Sequence, residues 1–290
     1  MKAKTIRKAL KAKTDEWLST IEDETLRQQV KRGTIVTGGA IASMLLKEPV
    51  NDYDIYFRDM ATAKAVAEYY VAKFVAATSH PMKVDAEDGR IRIVTGTGHR
   101  GETAGVVQTI GDSGEIEDTY DLAEDAALKV EDEGAPKYRP VFMSTNAITL
   151  SNKVQIVLRF YGEPDEIHEN YDFVHCTNYW TASDDNLVLR PDALEALLAR
   201  ELRYVGSKYP VCSIMRLRKF IKRNWTINAG QILKMVMQAA ALDLTDPKVL
   251  EDQLTGVDSA YFTQLISALR EKDPEKVNVS YLVEIIDRMF

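Results

Sequence analysis

The 290-residue chain holds two cysteines and four histidines. Cys176 and Cys212 are too few for a disulfide framework or a cysteine-rich zinc cluster. No apolar run approaches the roughly 18 residues that span a bilayer, so the reading is a protein without a membrane partner. The basic start, MKAKTIRKALKAK, lacks the apolar core of a secretory signal, and a cytoplasmic location is expected. Internal repeats and low-complexity linkers are missing too. What is present is ordinary for a folded protein: 45% hydrophobic and 28% charged residues, in a chain long enough for two domains without staples.

The net charge of −7 is unevenly spread. Residues 1–13 hold six Lys/Arg and no acid, and residues 199–234 hold nine against Glu201 alone. These segments carry +6 and +8, so the rest of the chain carries −21. A local basic segment governs contact with a polyanion more than the overall charge does.

Periodicity divides the chain into two halves. Residues 2–30 read as helical, with Trp17, Leu18, Ile21 and Leu26 on one face. TIVT (34–37) reads as a buried strand, AIASMLLK as a helix, NDYDIYF (51–57) as a second strand and 61–77 as a strong helix. Residues 78–140 read as hairpins and a variable loop, with a strand at 91–94. Strands are expected at 147–150, 154–160 and 172–176. Helices then dominate. Pro191 opens one, and Ser213, Asn228 and Asp246-Pro247 are candidate starts of three more, with a last helix after Pro274. The expectation is an α+β fold: a mixed sheet with helices over 1–183, then an all-α domain over 184–290.

The stretch that carries chemistry is IVTGGAIASMLLKEPVNDYDIYF, residues 35–57. Gly38 and Gly39 allow close backbone approach, and the helix that follows aims its first amides at whatever lies there, an arrangement suited to phosphate. Asp52 and Asp54, two apart on a strand, share a face. Paired carboxylates beside a phosphate cradle suit Mg²⁺ or Mn²⁺ bound with a nucleoside triphosphate.

GGAIASMLLKEPVNDYD resembles the signature of the DNA polymerase β-type nucleotidyltransferase superfamily. It is most similar to the branch of poly(A) polymerases and CCA-adding enzymes, whose pattern is GGAVRDLLLGRPVKDID. The segment VQIVLRFYGEPDEIHENYDF also resembles uncharacterised viral and phage nucleotidyltransferase-like proteins, which would put the chain in a host cytoplasm. The resemblance implies a nucleotidyltransferase fold and metal-dependent transfer of a nucleoside monophosphate. It implies Asp52 and Asp54 as catalytic metal ligands and a third carboxylate on a later strand, for which Asp172 is the candidate. The implied acceptor is an RNA 3′ end, with a protein hydroxyl second; a fold member that binds without catalysing is the rival. Ala42-Ser43 stands where the branch has Arg-Asp, which makes Ser43 the candidate phosphate donor. No Glu-Asp-x-x-Arg element is present, so the choice of base stays open, as does the oligomeric state.

Remaining motifs are read more plainly. Arg216, Lys219 and Arg223 line one stripe of the helix SIMRLRKFIKRN and are candidate contacts to acceptor or phosphate. Gln155 and Arg159 share a strand face. His175 is expected to pack away from Asp172. Gly96-Thr-Gly98-His-Arg-Gly101 matches a dinucleotide-loop pattern without the helix such a loop requires, and reads as a hairpin loop.

Overall fold

Thr34–Thr37 (β1) is buried along its whole length and is made of four β-branched residues, which pack well when both faces of a strand are covered. It sits inside a seven-stranded mixed sheet in a computed structural model that describes residues 1–79, 81–87, 89–95, 136–244, 246, 249, 252 and 253. The other strands are Tyr53–Phe57 (β2), Pro140–Met143 (β5), Ala147–Leu150 (β6), Val154–Tyr161 (β7), Tyr179–Thr181 (β8) and Asn186–Val188 (β9). Their spatial order is β5-β6-β7-β2-β1-β8-β9, and only the β2–β7 pair is parallel. Met82–Glu87 (β3) and Arg90–Thr95 (β4) form a separate antiparallel hairpin, as the alternating runs in this region suggest.

One face of the sheet carries the main core. Ala3–Ser19 (α1) and Met60–Thr78 (α4) lie on it, with Leu10, Trp17, Val66, Tyr70 and Phe74 buried against Ile55, Phe57, Ile156 and Leu158. Each such side chain contributes about 1.5–3 kcal/mol by leaving water. The Trp17 indole N–H donates to the Tyr70 hydroxyl at 2.8 Å, which satisfies both polar groups inside the core. The expected single helix over 2–30 is instead α1 and Glu24–Gly33 (α2). Ile21 turns into the core between them, and Asp23 caps α2 by accepting from the Leu26 N–H at 3.0 Å.

The opposite face is covered by later elements. Ile35, Tyr56 and Val157 meet Ile167 from Pro164–His168 (α5) there. Pro191–Ala199 (α6), Pro210–Lys222 (α7) and Ala229–Ala240 (α8) follow. The mixed sheet followed by helices agrees with the sequence reading. Two details differ. The sheet runs on through β9, and the helical part contains a two-residue parallel pair, Glu201–Leu202 (β10) with Thr226–Ile227 (β11).

The strand expected over 172–176 does not form. Phe173 makes a single antiparallel bridge to Tyr204, and Val174–Cys176 closes into a 3₁₀ turn. The reason lies in the partners: Val205 N–H bonds to the Asp172 carbonyl and Val174 N–H to the Arg203 carbonyl, each at 2.9 Å. The segment is thus tied to the helical half before it turns into β8. The helix expected to begin at Ser213 begins at Pro210 instead, leaving Ser213 inside α7. Asn228 does precede α8. The glycine pattern at 96–101, the variable loop beyond it, Pro247 and the helix after Pro274 lie outside the described residues.

Candidate active site

The Gly-Gly turn joins β1 to Gly39–Leu46 (α3). Gly38 has φ +92°, a conformation that L side chains rarely adopt, and its N–H donates to the Cys176 carbonyl at 3.1 Å. A Cβ at Gly38 would lie 2.6 Å from Asp54 Oδ2, so this carboxylate occupies the space a side chain would need. A Cβ at Gly39 would meet nothing within 4 Å. The N-cap position of α3 is this same Gly38, so the helix begins beside the Asp54 carboxylate. Asp54 is brought there by register, pairing with Thr37 on one side and Gln155 on the other. Asp52 lies just before β2 and is half-buried. Ser43 is half-buried in α3, where its carbonyl accepts the Glu48 N–H.

The end of β1 is pinned from below. The Thr37 hydroxyl donates to the Asn178 carbonyl at 2.9 Å, so His168 Nε2, 2.8 Å away, supplies the proton of their shared bond. Burial, and then the nearby Arg190, push the His168 pKa down to about 3, so the ring is neutral.

Asp172 reaches the same neighbourhood from the opposite side and is held there. It accepts from Ser213 Oγ at 2.6 Å and from Arg216 Nη1 at 2.5 Å. The Asp172 side chain is 12% exposed and that of Arg216 17%, so this is a nearly buried ion pair. The Cys176 thiol marks where the three acids stand. Burial, and then the charges of Asp54, Asp172 and Asp52, push its pKa well up, while Arg216 pulls it down. The half-buried thiol thus feels the charge of all three carboxylates. The His175 ring packs among aromatics, 4.3 Å from that of Trp225 and 5.0 Å from that of Phe220.

The basic stripe of α7 is divided by the fold. Arg216 is turned inward to Asp172, Lys219 is half-buried and Arg223 is exposed at the end of the helix. Gln155 is half-buried beside Asp54, and Arg159 binds the Tyr209 hydroxyl at 2.6 Å. Sequence reasoning missed the hold of Ser213 and Arg216 on Asp172. The one signal for it was their i, i+3 spacing, which puts a hydroxyl and a guanidinium on one face of a helix.

Whether these residues suit a divalent cation divides along the same line. Asp52 and Asp54, with the glycine cradle beside them, fit Mg²⁺ or Mn²⁺, which take one or two carboxylates and complete their shell with water and phosphate oxygens. Asp172, in contrast, gives one oxygen to Ser213 and the other to Arg216. Among the described residues no group of three or more His, Cys, Asp or Glu has metal-holding geometry.

The model of a family described as "Gabija anti-defense 2 family protein" matches residues 8–200, more than half of the chain. The chain belongs to the Gabija anti-defense 2 family. A curated relative named "Gabija anti-defense 2", from Bacillus phage SPbetaL7, is 21% identical over 253 residues, covering 86% of this chain and 48% of its own. The chain thus spans about half the length of that relative. Among solved structures, a Thermotoga maritima CCA-adding enzyme complexed with tRNA aligns with 95% of this chain and 53% of its own, at TM-score 0.41 and 13% identity. A Bacillus stearothermophilus CCA-adding enzyme in complex with CTP aligns with 81% of this chain and 48% of its own, at TM-score 0.38 and 13% identity. The Gabija anti-defense 2 match contains the glycine turn and all three acids, and ends before α7.

Proposed function

We propose that this chain moves a nucleoside monophosphate from a nucleoside triphosphate to an acceptor hydroxyl, an RNA 3′ end, in the service of the anti-defense role its family name states. One observation carries the reading. The Asp54 carboxylate lies where a Gly38 side chain would be, at the N-terminal end of α3. That arrangement costs a positive-φ glycine and places an acid at the start of a helix, where a side chain would otherwise stand. A structural turn needs neither; a triphosphate with its counter-cation needs both.

The acceptor oxygen would attack the α-phosphorus in line and release its proton to solvent, forming the new phosphodiester as the bond to the bridging β-phosphate oxygen breaks and pyrophosphate leaves. Asp52 and Asp54 would hold the divalent cation, which supplies charge stabilisation to the transferring phosphoryl group. The α3 amides and Ser43 would orient the triphosphate. Asp172 is assigned to position α7 through its bonds to Ser213 and Arg216.

The same pairing favours a second reading, a fold member that binds nucleotide without transferring it. The test is incubation with each α-labelled nucleoside triphosphate, Mg²⁺ or Mn²⁺, and host RNA and protein, with Asp54→Asn in parallel. Label in RNA that vanishes in Asp54→Asn is the expected result. Label in protein moves the acceptor to a protein hydroxyl. No label, with triphosphate-dependent thermal stabilisation intact, establishes the second reading.

A further inference from the structure

A second concentration of charge lies at the other end of α7. Arg159 comes from β7, Arg90 and Arg92 from β4, and Lys208 from the segment entering α7. The Arg159 side chain is 8% exposed, and its Nε donates to the Tyr209 hydroxyl at 2.6 Å. Both Arg159 and Arg90 reach the same oxygen of Asp252, at 3.9 and 3.8 Å. The Nε atoms of Arg90 and Arg92 are buried without a hydrogen-bond partner. Glu87 and Asp85 stand opposite these two arginines on the β3–β4 ladder. Burial, and then Arg159 and Arg92, push the Arg90 pKa down to about 10. Burial, and then Arg159, lower that of Lys208. Cations that depress one another inside a partly buried site stabilise nothing by themselves; an anion between them does.

Position connects this cluster to the acids. Alternation along β7 sends Val154, Ile156 and Leu158 to the main core and Gln155, Val157 and Arg159 to the face that bears Asp54. Tyr209 lies immediately before α7, and Ser213, which holds Asp172, comes one turn later, about 6 Å along the axis. The cations come from three separate elements, whereas the Gly38 turn is one short segment. Successive phosphates of a strand can meet cations carried on several elements.

We infer that Arg90, Arg92, Arg159 and Lys208 form a subsite for the backbone phosphates of a single-stranded RNA, and that the Asp252 carboxylate occupies it when RNA is absent. The assignment of this RNA as acceptor rests on the proposed activity; the binding itself does not. The test uses the full chain and a fluorescein-labelled single-stranded RNA oligonucleotide, with anisotropy read across a salt series and no turnover required. Arg92→Gln with Lys208→Gln should lower the slope of log affinity against log salt by about 1.4, or ~0.7 per lost contact. Affinity for a nucleoside triphosphate should not change. Asp252→Asn should tighten RNA binding several-fold, because it removes the competing carboxylate and leaves all four cations in place. This second variant keeps the test decisive should the double variant melt early. An unchanged salt slope, a loss of triphosphate affinity in place of RNA affinity, or weaker RNA binding by Asp252→Asn would overturn the subsite. RNA binding that follows these expectations without transfer to any acceptor retains the subsite and sinks the proposed activity.

Discussion

Asp54 and Asp172 are both half-buried acids whose charges act on the Cys176 thiol, yet the chain builds their surroundings in opposite ways. The space for Asp54 is made nearby: a glycine in the turn after the adjacent strand gives up its side chain, and sheet register delivers the carboxylate. Asp172 is held by residues 41 and 44 positions further on, from a helix of the other half. The first arrangement sets a carboxylate against a turn that only glycine makes cheaply. The second neutralises one and uses it to fasten two halves together. The difference teaches that resemblance in residue type is not resemblance in role: the surroundings decide whether an acid serves a ligand or the fold.

That contrast can be broken by experiment. The largest effect is expected with acid. His168 pins the Thr37 end of β1 as a neutral ring, with its folded pKa depressed to about 3 from an ordinary 6.5. The unfolded chain therefore binds a proton that the folded chain refuses. The stabilisation is whole above pH 6.5 and is lost as pH falls from there toward 3, by on the order of 4 kcal/mol. Denaturant titrations across that range should show the loss, and His168→Gln should remove the His168 share while leaving that of the buried His175, whose pKa is pushed down to about 4.

Next comes the fastening itself. Arg216→Gln leaves a nearly buried carboxylate without its counter-charge and should cost about 3 kcal/mol. Asp172→Asn in the same chain should restore part of it, which a double-mutant cycle measures. If Arg216→Gln leaves stability untouched, the pair is not what joins the halves.

Gly38→Ala should cost about 1–3 kcal/mol, because it combines a positive φ with a methyl group pressed onto Asp54 Oδ2. Its effect on nucleotide transfer should be far greater than on melting, since the carboxylate must move. Gly39→Ala, which meets no atom within 4 Å, should fold normally and serves as the control. Smallest of all, Ser213→Ala should cost about 1 kcal/mol, one hydrogen bond to a charged group that keeps its guanidinium.

What could be read before any coordinates was what depends on neighbours in the chain. Four β-branched residues at 34–37 dictate a covered strand, and Asp52 and Asp54 two apart share a face by the pleat alone. Gly38 is demanded by a turn that only glycine makes cheaply. Short-range rules failed where distant partners compete. The periodicity over 2–30 runs straight through the break between α1 and α2, because Ile21 finds its place in a core that the local pattern does not contain. Residues 172–176 carry good strand formers, but their backbone bonds go to 203–205.

The basic helix shows the limit most clearly. Its sequence determined that α7 would be a helix rich in cations with few acids near it. Only the tertiary structure decided that Arg216 would turn inward to Asp172 while Arg223 stays in water. Charge acts through distance, and the distance between a helix and an acid 44 residues earlier is set by the packing of everything between them.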